Sequence, residues 1–144
     1  MCGITGYVGK NNNAIKVVID GLESLEYRGY DSAGIAYTDE NKINIIKEKG
    51  KIVNLKNNID FNVKSNLAIG HTRWATHGEP NKVNSHPHSV NKFTIVHNGI
   101  IENYLELKTN LLEKGYKFQG ETDSEVLCAL IDSYYQESKD IIKA

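Results

Sequence analysis

Met1-Cys2-Gly3-Ile4-Thr5-Gly6-Tyr7-Val8, residues 1–8, is the stretch around which the chain is organised. A side chain as small as that of Cys2 exposes the initiator Met1 to removal. The new terminus then carries a thiol and a free α-amine on one carbon. An α-amine titrates at about 7.7–8.0 and a thiol at about 8.5, so near neutral pH part of the amine is free to take the thiol proton. This is a nucleophile with its own base, and no histidine is needed. The alternative is that Cys2 is only a small residue tolerated at position 2. Beyond Cys2 the stretch reads as a short strand, with Gly3 and Gly6 marking a close approach of backbone or ligand.

Length and composition set bounds. The chain has 144 residues, a net charge of -1, 40% hydrophobic and 24% charged residues. These values predict one soluble globular domain. A charge so near zero gives no electrostatic reason to expect nucleic acid or an anionic membrane as partner. No apolar run approaches the roughly 18 residues of a spanning helix, and no charged-then-apolar leader is visible. Cys2 and Cys128 make a poor disulfide framework, and a reducing cytoplasm suits both. Cys128, among Val126, Leu127, Ala129 and Leu130, reads as a buried small hydrophobe.

Outward from the opening strand, Asn11–Asn13 offer a turn and a cap. Ile15, Val18, Ile19, Leu22 and Leu25 then recur at helical spacing. Ser32–Tyr37 and Lys42–Glu48, joined by Asp39-Glu40-Asn41, predict a hairpin. A short helix is expected over 51–59 and a strand over Leu67–His71. Residues 78–91 hold both prolines and read as a long ordered loop. Phe93–His97 predicts a strand. Asn103 with Glu106, and Thr122 with Glu125, predict capping boxes for two further helices. Gly115 stops the first, and Lys117–Gln119 is a possible strand between them. Leu127, Leu130, Ile131 and Tyr134 share one face of the second. Ser138 is a cap for one more turn.

Three groups of residues can carry chemistry. Asn98-Gly99 is either a type I′ turn or an oxyanion hole built from an amide and a backbone N–H. The helix pattern that follows it weakens the turn. Arg73 and Asp123 can read the carboxylate and the ammonium of a free amino acid, or they are ordinary surface charges. His71, His77, His86, His88 and His97 tempt a zinc reading. They lack the His-x-x-x-His or Cys-x-x-Cys spacing that would support it, and histidines that orient neighbours fit better. Trp74 reads as a packed aromatic. The order of Gly3, Gly6 and Gly9 does not match a dinucleotide fingerprint, and no cofactor is expected.

Six segments together carry a family resemblance: CGITGYVG at 2–9, LEYRGYDSAG at 25–34, HTRWATHGEP at 71–80, NSHPH at 84–88, HNGIIENY at 97–104 and ETDSEV at 121–126. The chain resembles a class II glutamine amidotransferase domain of the N-terminal-nucleophile hydrolase superfamily. It is most similar to the glutaminase domain of the glutamine–fructose-6-phosphate aminotransferase family. The resemblance implies an α+β fold, a four-layer αββα sandwich. It further implies that 1–144 is an incomplete type-2 domain, its later strands lying past residue 144, without the sugar-phosphate isomerase domain. By resemblance, Cys2 attacks the side-chain amide of L-glutamine with its own α-amine as base, and Asn98 and Gly99 stabilise the oxyanion. Arg73, helped by Thr76 and His77, holds the α-carboxylate. Asp123 and the Gly99 region receive the α-ammonium, and Trp74 lines the passage by which ammonia leaves. Ammonia would pass to the isomerase domain for glucosamine 6-phosphate synthesis, in an enzyme that is a homodimer at full length. The alternative is a non-catalytic remnant of that enzyme.

Overall fold

A computed structural model of the chain describes residues 2–74 and 81–144. Its order is β1 (Gly3–Val8), α1 (Ala14–Leu25), a 3-10 turn (Glu26–Arg28), β2 (Ser32–Asp39), β3 (Lys42–Lys49), α2 (Ile52–Lys56) and β4 (Leu67–Arg73). There follow β5 (His88–Val90), β6 (Phe93–Ile95), α3 (Tyr104–Glu113) and α4 (Asp123–Ser138). The main sheet is antiparallel, in the order β1-β4-β2-β3, and β5-β6 form a second, two-stranded sheet.

Helix α1 forms where the apolar spacing predicts it. Ala14, Ile15, Val18, Ile19 and Leu22 are buried on one stripe, which packs across β1 and β4. Ile15, Val18, Ile19 and Leu22 each contribute about 1.5–3 kcal/mol by leaving water. Leu22→Ala would cost about 2–5 kcal/mol, because its surroundings collapse only partly. On the other side of the main sheet, α4 packs on β5 and β6 and α3 packs on α4. The layers therefore run helix, sheet, sheet, helix. Gly34 in β2 lets the two sheets approach: a Cβ there would fall 2.0 Å from the carbonyl oxygen of His86.

Alternation along β4 sorts its residues between the layers. Ala68, Gly70 and Thr72 share one face, and Gly70 meets Val18 and Leu22 of α1. Ile69, His71 and Arg73 share the opposite face. Register then assembles the end of the sheet. Gly3 pairs with Thr72, and Ser32 pairs with Arg73. Cys2 is thereby carried to the point where β4 runs out into Trp74.

Several expectations need correction. β4 runs two residues beyond the expected strand, to Arg73. The expected loop over 78–91 contains β5, while 75–80 lie outside the described residues. Lys117–Gln119 is not a strand. Asn103 sits at the start of α3, but its side chain makes no capping hydrogen bond. Thr122 does cap α4 by accepting from the Glu125 N–H, whereas Glu125 accepts from the N–H groups of Gln119 and Gly120 instead of closing the box. The face of α4 expected to be buried is turned partly outward, and Tyr134 is 49% exposed. The buried face carries Val126, Ala129, Asp132 and Ser133. Asp132 can lie there because Asn91, Tyr116 and Gln136 all donate to its carboxylate.

Candidate active site

A cavity of about 400 Å³ opens at the end of the main sheet. Cys2, Arg73, Trp74, Asn98, Gly99 and Asp123 all line it, joined by Arg28, His71, His86, His97, Ile100, Thr122 and Ser124. Residues 96 positions apart in sequence meet here because β1 and β4 end at one side of the cavity, while the 97–101 segment and the start of α4 form the other.

Cys2 is half-buried, and its sulfur is fixed by the backbone of Trp74. The Trp74 N–H donates to Sγ at 3.2 Å, and the thiol donates to the Trp74 carbonyl at 3.5 Å. Gly29 permits this backbone to lie where it does: a Cβ at Gly29 would be 2.7 Å from the carbonyl carbon of Arg73 and 3.0 Å from the Trp74 nitrogen. Gly3 N–H donates to Thr72 Oγ1 at 3.1 Å, tying the start of β1 to β4.

Asn98 is exposed to the cavity and bridges its two walls. Its Nδ2 donates to the Cys2 carbonyl at 3.1 Å, and its Oδ1 lies 2.7 Å from His71 Nε2. An amide nitrogen has two hydrogens, so one remains for a ligand oxygen. The polypeptide after Gly99 enters α3 through a turn and does not return as a strand, which removes the hairpin reading.

Arg73 is 4% exposed and Asp123 5% exposed, so neither is a surface charge. Burial lowers the Arg73 pKa, while Asp31, Cys2 and Asp123 pull the other way. Asp123 opens α4, where the helix dipole favours an anion. Its Oδ2 accepts from the Ile101 N–H at 2.8 Å. Trp74 corrects the packed-aromatic reading. It is 48% exposed at the rim, edge-on to Tyr30 with ring centroids 5.5 Å apart. Thr76 and His77 lie outside the described residues.

Of the described histidines, His71 and His88 are buried on β4 and β5, His86 is buried just before β5, and His97 is half-buried just after β6, while His77 lies outside the described residues. His71 stacks on His86 with centroids 4.1 Å apart, and His86 meets His88 edge-on at 4.6 Å. His86 Nδ1 accepts from the His97 N–H, His88 Nε2 pairs with the Thr122 hydroxyl, and His97 Nδ1 with that of Ser124. Burial pushes His71 down to about 4 and His88 to about 3, and drives His86 far below the usual imidazole range. Among the described residues, no three His, Cys, Asp or Glu side chains group as ligands for a metal ion. Cys128 is fully buried, and burial raises its thiol to about 11. Among the described residues no helix is long and apolar enough to cross a membrane.

Arg28, His86, His97, Ile100 and Ser124 were not singled out as site residues by reasoning from the sequence. A signal existed for all five, since each sits inside one of the six segments that carry the resemblance.

A cavity that joins an amino-terminal cysteine, an Asn-Gly pair and a buried Arg and Asp on an αββα scaffold defines a class. The chain belongs to the glutamine amidotransferase domain family, whose model matches residues 56–142. Its relatives narrow the class. The glutamine–fructose-6-phosphate aminotransferase (isomerizing) of Clostridium acetobutylicum is 55% identical over 139 residues, covering 94% of this chain and 23% of that protein. That of Clostridium perfringens is 57% identical over the same shares. The chain thus spans about a quarter of the length of the curated relatives it matches. The solved glutamine phosphoribosylpyrophosphate amidotransferase from B. subtilis superposes with a TM-score of 0.76 at 35% identity, covering 92% of this chain and 29% of that one. The fold is that of the N-terminal-nucleophile amidotransferases.

Proposed function

We propose that the chain is a glutaminase, hydrolysing L-glutamine to glutamate and ammonia through a thioester on Cys2. One observation carries this reading. The Cys2 thiol, the free donor of Asn98, and the Arg73 and Asp123 side chains line a single cavity sized for an amino acid. Arg73 suits the α-carboxylate and Asp123 the α-ammonium. These anchors point the side-chain amide at the sulfur.

With Met1 removed, the α-amine of Cys2 takes the thiol proton as Sγ bonds to the amide carbon. The carbonyl electrons move onto oxygen, where Asn98 and the Gly99 N–H stabilise the developing charge. Collapse of this intermediate breaks the C–N bond. The leaving nitrogen takes the proton back from the α-ammonium and departs as ammonia. Water, deprotonated by the same amine, then attacks the thioester and releases glutamate and the thiol. No cofactor enters these steps. Thr76 and His77 are proposed to help hold the carboxylate, and Trp74 to line the exit of ammonia. The relatives' name, glutamine–fructose-6-phosphate aminotransferase (isomerizing), favours a sugar phosphate as the ammonia acceptor. The family resemblance extends the proposal to a sugar-phosphate isomerase domain making glucosamine 6-phosphate within a homodimeric enzyme.

The test is incubation with a diazoketone analogue of glutamine, followed by intact-mass and peptide analysis. Alkylation of Cys2 alone, blocked by glutamine, together with release of glutamate from glutamine, supports the reading. An unlabelled Cys2 and no glutamate release would support the non-catalytic alternative.

A further inference from the structure

The paired contacts of Asn98 determine where its protons lie. The Cys2 carbonyl can only accept, so the Asn98 nitrogen must face it. Oδ1 then faces His71, and as an acceptor it requires a proton on His71 Nε2. A neutral imidazole carries one proton, so Nδ1 is bare. The surroundings agree: Nδ1 is buried and finds no hydrogen-bond partner among the described residues. The carbonyl of His97 is near enough to favour a charged ring, but burial outweighs it. A neutral ring with its proton on Nδ1 would instead set a bare Nε2 against the Asn98 oxygen, two acceptors opposed at 2.7 Å.

The ring itself is held in place. His71 is 1% exposed, and it stacks on His86 at 4.1 Å with planes 15° apart. His86 in turn accepts from the backbone N–H of His97, the residue preceding Asn98. Two stacked imidazoles thus hold neighbouring points of one segment, one through its backbone and one through the Asn98 side chain.

We infer that His71 is a positioning residue for the oxyanion donor: its Nε2–H locks the Asn98 amide so that nitrogen, not oxygen, faces the Cys2 side of the cavity. Without this bond only the Cys2 carbonyl orients the amide, and the donor is held less firmly toward the developing negative charge. The inference rests on the glutaminase reading for its consequence in rate, but not for its geometry.

The experiment has two arms. In the kinetic arm, His71→Phe keeps a flat ring against His86 and removes the donor, while His71→Gln restores an N–H. His71→Phe should lower kcat for glutamine hydrolysis about 10- to 100-fold with KM changed less than about threefold, and His71→Gln should recover at least about tenfold of that loss. Native kcat in His71→Phe, or equal losses in both variants, would overturn the inference. In the second arm, nitrogen NMR of the ¹⁵N-labelled native chain at neutral pH reads the tautomer. The expected state is Nε2–H with bare Nδ1, and a protonated Nδ1 would overturn the inference whether or not the variants fold. A native chain with this tautomer but no glutaminase activity would overturn the functional reading and leave the geometry standing.

Discussion

Asn98 donates to the carbonyl oxygen of Cys2 across 96 residues of sequence, at 3.1 Å. The proposed oxyanion donor and the proposed nucleophile are therefore held close by a direct bond between their residues. On the proposed mechanism, Asn98→Ala removes that bond and a transition-state donor at once. Losing one such donor costs about 2.7–4 kcal/mol, or about 10²–10³ in kcat. Steady-state kinetics should show this fall with KM for glutamine nearly unchanged. A change confined to KM would make Asn98 a ground-state contact.

Cys2→Ser should reduce turnover at least about a thousandfold, because an amine of ordinary basicity generates an alkoxide far less readily than a thiolate. The sulfur's neighbours would survive the change, since a hydroxyl can also accept from Trp74 N–H and donate to its carbonyl. The thermal midpoint should therefore stay within a few degrees of native. A serine variant with most of its activity would remove Cys2 from the chemistry.

The proposed mechanism makes the free amine a separate requirement. A bulky residue inserted between Met1 and Cys2 blocks methionine removal and leaves the amine on the wrong carbon. Turnover should vanish while the thiol remains present. Intact mass verifies the terminus, and full activity with Met1 retained would exclude the amine as base.

Arg73 is buried at 4% exposure within the attraction of Asp31 and Asp123, a setting that suits a rigid two-pronged donor. Arg73→Lys should raise KM for glutamine about tenfold or more and change kcat only severalfold. A glutamine analogue lacking its α-carboxylate should show no difference between the two proteins. A loss mainly in kcat would instead place Arg73 against charge that develops in the transition state.

Local pattern made α1, the β2–β3 hairpin and β4 legible, because each buries a face whose period can be read from the residues. Capping was less legible. Asn103 and Thr122 share a motif, yet only Thr122 caps, since extended backbone at Thr122 turns its hydroxyl toward the Glu125 N–H while Asn103 adopts a different conformation. The buried face of α4 was hidden for another reason. Its Asp132 is polar in sequence and becomes acceptable inside only through Asn91 and Tyr116, which lie far from it along the chain. In the site, Cys2, Asn98, Arg73 and Asp123 were legible as residue types suited to one chemistry. The partners of His71 were not, because stacking on His86 and bonding to Asn98 depend on how the two sheets meet.

Those buried rings predict acid sensitivity. An unfolded histidine titrates near 6.5, whereas folded His71 is pushed to about 4 and His88 to about 3 by burial, with Lys47 and Arg73 further opposing charge on His88. Above pH 6.5 both rings are neutral in either state, and their contribution is fully present. As pH falls below 6.5 the unfolded chain takes up protons that the folded chain refuses, so stability declines until pH passes the folded values. The slope is about 1.4 kcal/mol per pH unit for each ring. By pH 5 each ring should therefore have cost about 2 kcal/mol, in a range where most carboxylates are still ionised. Urea unfolding at pH 7.5 and pH 5 measures this directly. The midpoint should fall, and His71→Phe should lose less between the two conditions than the native chain. Equal losses would mean that His71 titrates alike in the folded and unfolded chains, contrary to its burial against His86.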